Sequence, residues 1–358
     1  MTVTQRAIQA ILDGRDLSSE TISACLKEIA EGTATPVQIA GLLVALRKKG
    51  ETVEEIAAFA STLRSYSTMK ERPMVKGRMI DMCGTGGDSF KTPNVSTISS
   101  FVAAGAGAVV AKHGGRSVTS TSGSADVLER LGFNLAMEPA RVKDSIEQIG
   151  IGFMFAPSFH PAMKQVAPVR KELGVRTIFN LMGPLINPAR VDAQLLGLYS
   201  PELVPQVAAV LGKLGLQEAF VVHGLEGVDE ISVTHRTLVS HLKDGNVSTR
   251  EYLPREFGLR DGPLIPPTSP ADAEEGAMLA LSILGGDSKE RDCGSLMVAV
   301  NSAACLVLAQ KATTFVDGIE LAAASIKSGR AMEKLEQMVK FSGGSLEGAR
   351  ERYASKKK

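Results

Sequence analysis

Between Arg78 and Ser124 the chain reads RMIDMCGTGGDSFKTPNVSTISSFVAAGAGAVVAKHGGRSVTSTSGS. Gly84, Gly86 and Gly87 follow a short apolar run. With no side chains in the way, their backbone N–H groups can approach an oxyanion closely, and Thr85 adds a hydroxyl. Asn94, Ser96 and Thr97 open a helical pattern, and a helix start favours negative charge. Lys112 and His113 close a second apolar run ahead of Gly114, Gly115 and Arg116. A lysine in that place acts as a point charge on phosphate. Ser117, Thr119, Ser120, Thr121, Ser122 and Ser124 supply hydroxyls for a second phosphate group. The chemistry indicated is the holding of a heavily phosphorylated small molecule. Two familiar nucleotide loops do not fit. Counted from Gly84, a dinucleotide fingerprint needs glycine in place of Ser89, and a Walker A loop needs glycine then lysine where Ser89 and Phe90 stand.

Two further groups lie downstream. Val222-His223-Gly224-Leu225-Glu226-Gly227-Val228-Asp229-Glu230 follows another apolar run and places adjacent carboxylates in a glycine-bearing loop. Such hard oxygen donors hold Mg²⁺ through one or two carboxylates, with waters and substrate phosphates completing the shell. The segment from Phe159-His160-Pro161 to Leu185 carries Arg170 in a helical pattern. An arginine facing a cleft there would fork onto the carboxylate of a second substrate.

Positioning these groups requires a scaffold of alternating elements. The first seventy or so residues are helical in pattern, with capping boxes at Thr35/Gln38 and Thr52/Glu55 and a stop at Glu71-Arg72-Pro73. Short apolar runs follow at Met79–Cys83, Ala108–Ala111, Gly152–Phe155, Gln194–Tyr199, Ala219–His223 and Leu238–Leu242. Helical patterns lie between them at Ser96–Ala104, Ala125–Leu131, Ala140–Ile149, Ala162–Leu173 and Glu202–Leu214. Further helices are read from Pro270 to Leu284 and within Ser295–Val339, and Ser355–Lys358 reads as a solvated basic tail. The alternation predicts an α/β fold: a small all-helical domain plus a large domain with a central, mostly parallel sheet. In such sheets ligands sit beyond the carboxyl ends of the strands, where these loops fall.

Composition narrows the partners. The 358 residues carry 40 Lys and Arg against 39 Asp and Glu, leaving no basic field for nucleic acid or a membrane surface. No apolar run reaches the roughly 18 to 20 residues of a membrane span. The N-terminus lacks the apolar core of a signal peptide. Cys25, Cys83, Cys293 and Cys305 are isolated, and no zinc spacing is present. A cytoplasmic protein with reduced thiols is the expectation.

GTGGD at 84–88, NVST at 94–97, KHGGR at 112–116, SGSAD at 122–126, VRKELGVRTIFNLMGPLINP at 169–188 and HG-(x)4-DE at 223–230 together resemble the anthranilate phosphoribosyltransferase family, in its order and spacing. The resemblance spans essentially the whole chain. It implies a homodimer active in tryptophan biosynthesis, on the fold shared with pyrimidine nucleoside phosphorylases. Its small helical domain would be residues 1–73, joined by a segment at about 162–188, and its large domain 74–358. It also implies that phosphoribosyl pyrophosphate meets Gly84, Gly87, Asp88, Thr92, Asn94, Val95, Ser96, Thr97, Lys112, Ser120 and Ser124. Mg²⁺ would be held by Ser96, Asp229 and Glu230. Anthranilate would meet Gly84, His113, Gly115, His160, Arg170 and Gly183. At one position the family usually reads KHGNR; Gly115 stands here in place of that asparagine, a contact to the aromatic acceptor. No side-chain nucleophile is implied, because displacement of pyrophosphate at the anomeric carbon needs chiefly positioning and electrostatics. Transfer to another aromatic amine, and a non-catalytic nucleic-acid-binding relative on the same scaffold, are the alternatives.

Overall fold

The computed structural model describes residues 1–86, 94–117, 122–260, 262, 264, 270–287 and 292–356. Four helices come first: α1 (Val3–Leu12), α2 (Ser19–Ala30), α3 (Pro36–Lys49) and α4 (Val53–Ser65). Thr35 and Thr52 each accept from the backbone of the third helical residue, which returns a bond to the cap, as the sequence predicts. Glu55 does more than cap. Its fully buried carboxylate takes the N–H groups of Thr52 and Leu17, both at 2.9 Å, and Lys49 Nζ at 2.8 Å, fastening α4 to the loop before α2. Satisfied on every side, this buried charge holds the bundle in register.

A seven-stranded sheet follows, ordered β3-β2-β1-β4-β5-β6-β7. Its strands are β1 (Met79–Gly84), β2 (Val109–Gly114), β3 (Ile151–Phe155), β4 (Ala193–Gly197), β5 (Glu218–Gly224), β6 (Thr237–Lys243) and β7 (Asn246–Tyr252). The first five in chain order pair in parallel, while β5–β6 and β6–β7 are antiparallel. β5 shows how the sheet is filled on both sides. Ala219 and Val221 join Leu42, Leu46 and Phe59 of the bundle in one core, and Phe220 and Val222 enter the other core with Phe101 and Val298. This is the two-residue alternation of a strand buried on both faces. Segment 166–186 contributes Val166, Val169, Phe179, Leu181 and Leu185 to the bundle-side core.

Six strands coincide with the expected apolar runs; β7 is an addition to them. Its residues are almost all exposed, so it has no apolar period to read. The signal lies in the turn instead: Asp244 and Gly245 adopt φ of 48° and 80°, a two-residue hairpin with Lys243 paired to Asn246. The helical pattern at Ala162–Leu173 divides into a 3₁₀ turn, Pro161–Gln165, and a helix, Val166–Leu173. The long pattern at 295–339 is broken by left-handed Gln310 and Gly329 into Cys293–Leu308, Phe315–Lys327 and Arg330–Phe341. The described part of the tail, Ser355 and Lys356, is exposed and ends the helix Glu347–Lys356. Among the described residues no helix is long and apolar enough to cross a membrane.

Candidate active site

The sheet order places a topological switch point between β1 and β4: the chain builds β2 and β3 on one side of β1, then returns to the other. Parallel sheets bind ligands in the crevice at such a point. Here the carboxyl ends of β1 and β4 are the paired residues Gly84 and Gly197. Asp229 fills the space above both. A Cβ on Gly84 would lie 2.3 Å from Asp229 Oδ2, and one on Gly197 only 1.6 Å from its carbonyl oxygen. Gly84 therefore does something its position in a glycine-rich turn does not announce. Besides exposing backbone, it makes room for a carboxylate arriving from the loop after β5.

That carboxylate is 7 % exposed and accepts the Gly86 N–H at 2.7 Å. Burial pushes its pKa up, against the hydrogen bond and the nearby His223. Glu230, 8 % exposed, stands beside it. The loop that carries them is pinned at two points. Gly224 and Val228 form a bridge, and Asn301, fully buried in the helix Cys293–Leu308, exchanges hydrogen bonds with the backbone of Ile231 at 3.1 and 3.4 Å. Asn301 is a functional support that sequence reading misses. Two adjacent polar residues, Asn301 and Ser302, inside the run VAVNSAAC are the sign of it.

The helix α5 (Val95–Gly105) starts where expected, but no side chain caps it. Asn94 instead exchanges hydrogen bonds with Ser122, through its Nδ2 at 3.2 Å and its Oδ1 at 3.3 Å. Thr97 Oγ1 donates to Ser124 Oγ at 2.9 Å. These bonds draw the start of α5 against the start of the helix Ser124–Arg130. Val95 is buried and Ser96 is half-buried in the same helical turn. Lys112, 2 % exposed, donates to the Met82 carbonyl at 2.7 Å and to Ser96 Oγ at 3.2 Å. Burial lowers its pKa, opposed by Asp81 and, more weakly, Glu230. The buried lysine thus ties Ser96, in the first turn of α5, to the end of β1. Arg116 is occupied elsewhere, forked onto Glu129 at 2.9 Å and bonded to Asp126 at 2.8 Å. Gly87, Asp88, Thr92 and Ser120 lie outside the described residues.

The third part faces the bundle. His113 and His160 are each 3 % exposed, with rings edge to face at 5.1 Å. His113 Nδ1 pairs with the Gly183 carbonyl at 2.9 Å, and its Nε2 has no partner among the described residues. Burial drives the His113 pKa down to about 3 and that of His160 to about 4, so both rings are neutral at physiological pH. Gly183 lies in the helix Phe179–Leu185, and a Cβ there would meet nothing within 4 Å, which marks open space beside the rings. Gly115 is similarly roomy, with only Ala156 Cβ at 3.9 Å from its missing side chain. Arg170, in the helix Val166–Leu173, stacks over Phe179 at 5.9 Å. Among the described residues no carboxylate pairs with it, so the salt-bridged role common for helix arginines is absent. Burial lowers its pKa from the ordinary guanidinium value, and it remains a cation.

A carboxylate pair at the switch point of a parallel sheet, two converging helix starts and an open space beside two buried histidines are the arrangement of a transferase for phosphorylated donors. Two family models match in the same arrangement: a glycosyl transferase helical bundle domain over residues 5–67 and a glycosyl transferase α/β domain over 76–332. A protein of Thiobacillus denitrificans named anthranilate phosphoribosyltransferase is 48 % identical over 347 residues, 96 % of this chain and 98 % of its own. The crystal structure of the enzyme of that name from Thermus thermophilus is 40 % identical, with a TM-score of 0.83 over 94 % of this chain and 99 % of that one. The Saccharomyces cerevisiae enzyme in complex with phosphoribosyl pyrophosphate and Mg is 29 % identical, with a TM-score of 0.85 over 95 % and 98 %. The chain belongs to the anthranilate phosphoribosyltransferase family.

Proposed function

We propose that this protein transfers the phosphoribosyl group of 5-phosphoribosyl 1-pyrophosphate to anthranilate, giving N-(5-phosphoribosyl)anthranilate and pyrophosphate in tryptophan biosynthesis. The observation that carries the reading is the seating of Asp229 over Gly84 and Gly197. It brings a metal-binding carboxylate to the mouth where β1 and α5 present phosphate-holding backbone. The relatives support both substrates, since yeast enzyme structures hold phosphoribosyl pyrophosphate with Mg and, separately, 4-fluoroanthranilate.

The donor's diphosphate and ribose fall to Gly84, Gly87, Asp88, Thr92, Asn94, Val95, Ser96, Thr97, Lys112, Ser120 and Ser124. Mg²⁺ fits Ser96, Asp229 and Glu230. A buried carboxylate held only by backbone N–H groups, that of Gly86 at 2.7 Å among them, is relieved by a hard cation, and among the described residues no group of three His, Cys, Asp or Glu could hold a metal by itself. That pattern suits an ion that keeps waters and shares substrate oxygens. When bound, Mg²⁺ supplies positive charge for the departing pyrophosphate.

Catalysis by the chain is positional. The anomeric C–O bond breaks with its electron pair leaving on pyrophosphate, and the amine nitrogen of the acceptor bonds to the same carbon and gives up one proton, to the departing pyrophosphate or to water. Lys112 and the start of α5 stabilise the leaving group's charge. Arg170 takes the acceptor carboxylate in a charge-assisted fork, and the His113 and His160 rings wall its aromatic face. With pKa values near 3 and 4 these histidines are weak bases, so they orient rather than shuttle protons. Gly84 offers the acceptor its backbone, Gly183 leaves space for it, and Gly115 adds more where the family commonly has asparagine.

Residues 1–73 with the segment 162–188 would close against 74–358, excluding the water that competes for the sugar cation. A homodimer is supported by Leu12 of α1 and Val37 and Val44 of α3, apolar side chains left 68 %, 80 % and 46 % exposed on helices that pack together. Four free cysteines fit a cytoplasmic setting. Anthranilate is fluorescent, which gives a direct test. Its signal should decay only when enzyme, phosphoribosyl pyrophosphate and Mg²⁺ are all present, and a steady signal in the complete mixture would overturn the assignment.

A further inference from the structure

A second cleft lies at the opposite end of the sheet. A cleft of about 1220 Å³ opens between α2, α4 and the loops entering β4 and β5, at residues 190–192 and 214–217. These loops sit at the amino ends of the strands, whereas Gly84, Gly114 and Gly197 stand at the carboxyl ends. The cleft is therefore separate from the transfer site.

Its charges do not balance. Five cations line it, Lys27, Arg64, Arg72, Arg190 and Lys213, against three acids, Glu20, Glu54 and Asp192. Arg72 is bound to Asp192 at 2.5 Å and Lys213 to Glu54 at 3.1 Å, while Lys27 lies 3.8 Å from Glu31 outside the lining. Arg64 and Arg190 form no salt bridge among the described residues, and neither does Glu20, the third lining acid. Arg64 is anchored by its Nε, which donates to the Leu185 carbonyl at 2.7 Å. Burial lowers its pKa to about 10, with the charge of Arg190 acting in the same direction and that of Asp81 against it. Arg190 is also held at φ 52°, a left-handed conformation uncommon outside glycine and costly unless the surroundings impose it. Two guanidiniums lining one cleft with no carboxylate bonded to either are recognition elements for an oxyanion, since each presents a planar fork of donors.

We propose that this cleft binds a small polyanion, a phosphate or polycarboxylate bridged by Arg64 and Arg190. The test is calorimetric titration of the full-length protein with inorganic phosphate and, separately, with citrate, in the wild type and in Arg190→Glu. Anion binding that weakens at least about tenfold in the variant supports the site, and the anion that responds identifies its ligand as phosphate or polycarboxylate. Phosphate held at the transfer site would persist in both proteins, which separates the two locations. Titrations that are the same in wild type and variant, for both anions, overturn the proposal. Arg190→Asn, which tolerates the left-handed backbone, repeats the comparison should the glutamate variant unfold.

Discussion

At the residue scale, the site is a set of charges with uneven obligations. Lys112 and Arg116 adjoin the same glycine turn, yet only Lys112 is buried behind the cradle; Arg116 serves two acids of the neighbouring helix. The sequence places both at a strand end and cannot separate them, because the distinction depends on Asp126 and Glu129 folding back. Arg170 is the residue whose role is most exposed to test. Truncating a charge-assisted hydrogen bond costs about 1.5–3 kcal/mol, so Arg170→Ala should raise the KM for anthranilate by about 10- to 150-fold. The KM for phosphoribosyl pyrophosphate should hold, and steady-state kinetics with each substrate varied will show the split. The histidine pair gives a pH signature. Both folded pKa values lie below the ordinary 6.5, so the unfolded chain binds more protons as pH falls through that interval. Stability from keeping them neutral is complete above about pH 6.5, declines below it, and is gone near pH 3 to 4. Denaturant unfolding should therefore show wild type losing more stability than His160→Phe as pH falls from about 6.5 to about 4.

At the scale of elements, the strands that carry the site are legible because burial on both faces leaves dense apolar runs. β7 is not, since an exposed edge strand carries no such run and only Asp244-Gly245 marks it. The glycines are legible as a turn, but their partner is not. The Asp229 carboxylate comes from 143 positions beyond Gly86, and nothing local encodes its arrival over the β1–β4 seam. Gly197 goes unremarked for the same reason. A methyl there collides with the Asp229 carbonyl, so Gly197→Ala should push the acid loop out of the crevice. The expected outcome is a folded protein with Mg²⁺-dependent activity reduced at least about tenfold and stability lowered by roughly 1–3 kcal/mol, the cost of overpacking. Circular dichroism melting and a Mg²⁺ titration of activity check both parts.

At the scale of the whole molecule, near-neutral charge and two hydrophobic cores bracketing one sheet are foreseeable in outline. How the bundle reaches the site is not legible in composition or periodicity; the resemblance alone names a joining segment, at about 162–188. In the structure segment 166–186 places Val169 and Phe179 in the bundle-side core, Arg170 over the Phe179 ring and Gly183 against His113. If the exposed apolar face of α1 and α3 mediates self-association, Val44→Asp should shift the protein from dimer to monomer in analytical ultracentrifugation, with an unchanged melting profile for each protomer's core. The central claim is that donor cradle, acid pair and Arg170 recess form one site for one transfer. Quantifying both products after incubation with phosphoribosyl pyrophosphate, anthranilate and Mg²⁺ tests it most directly. The account predicts N-(5-phosphoribosyl)anthranilate and pyrophosphate in equal amounts, both abolished by chelation of the metal. Pyrophosphate release without the phosphoribosylated amine, or no turnover at all, would contradict it.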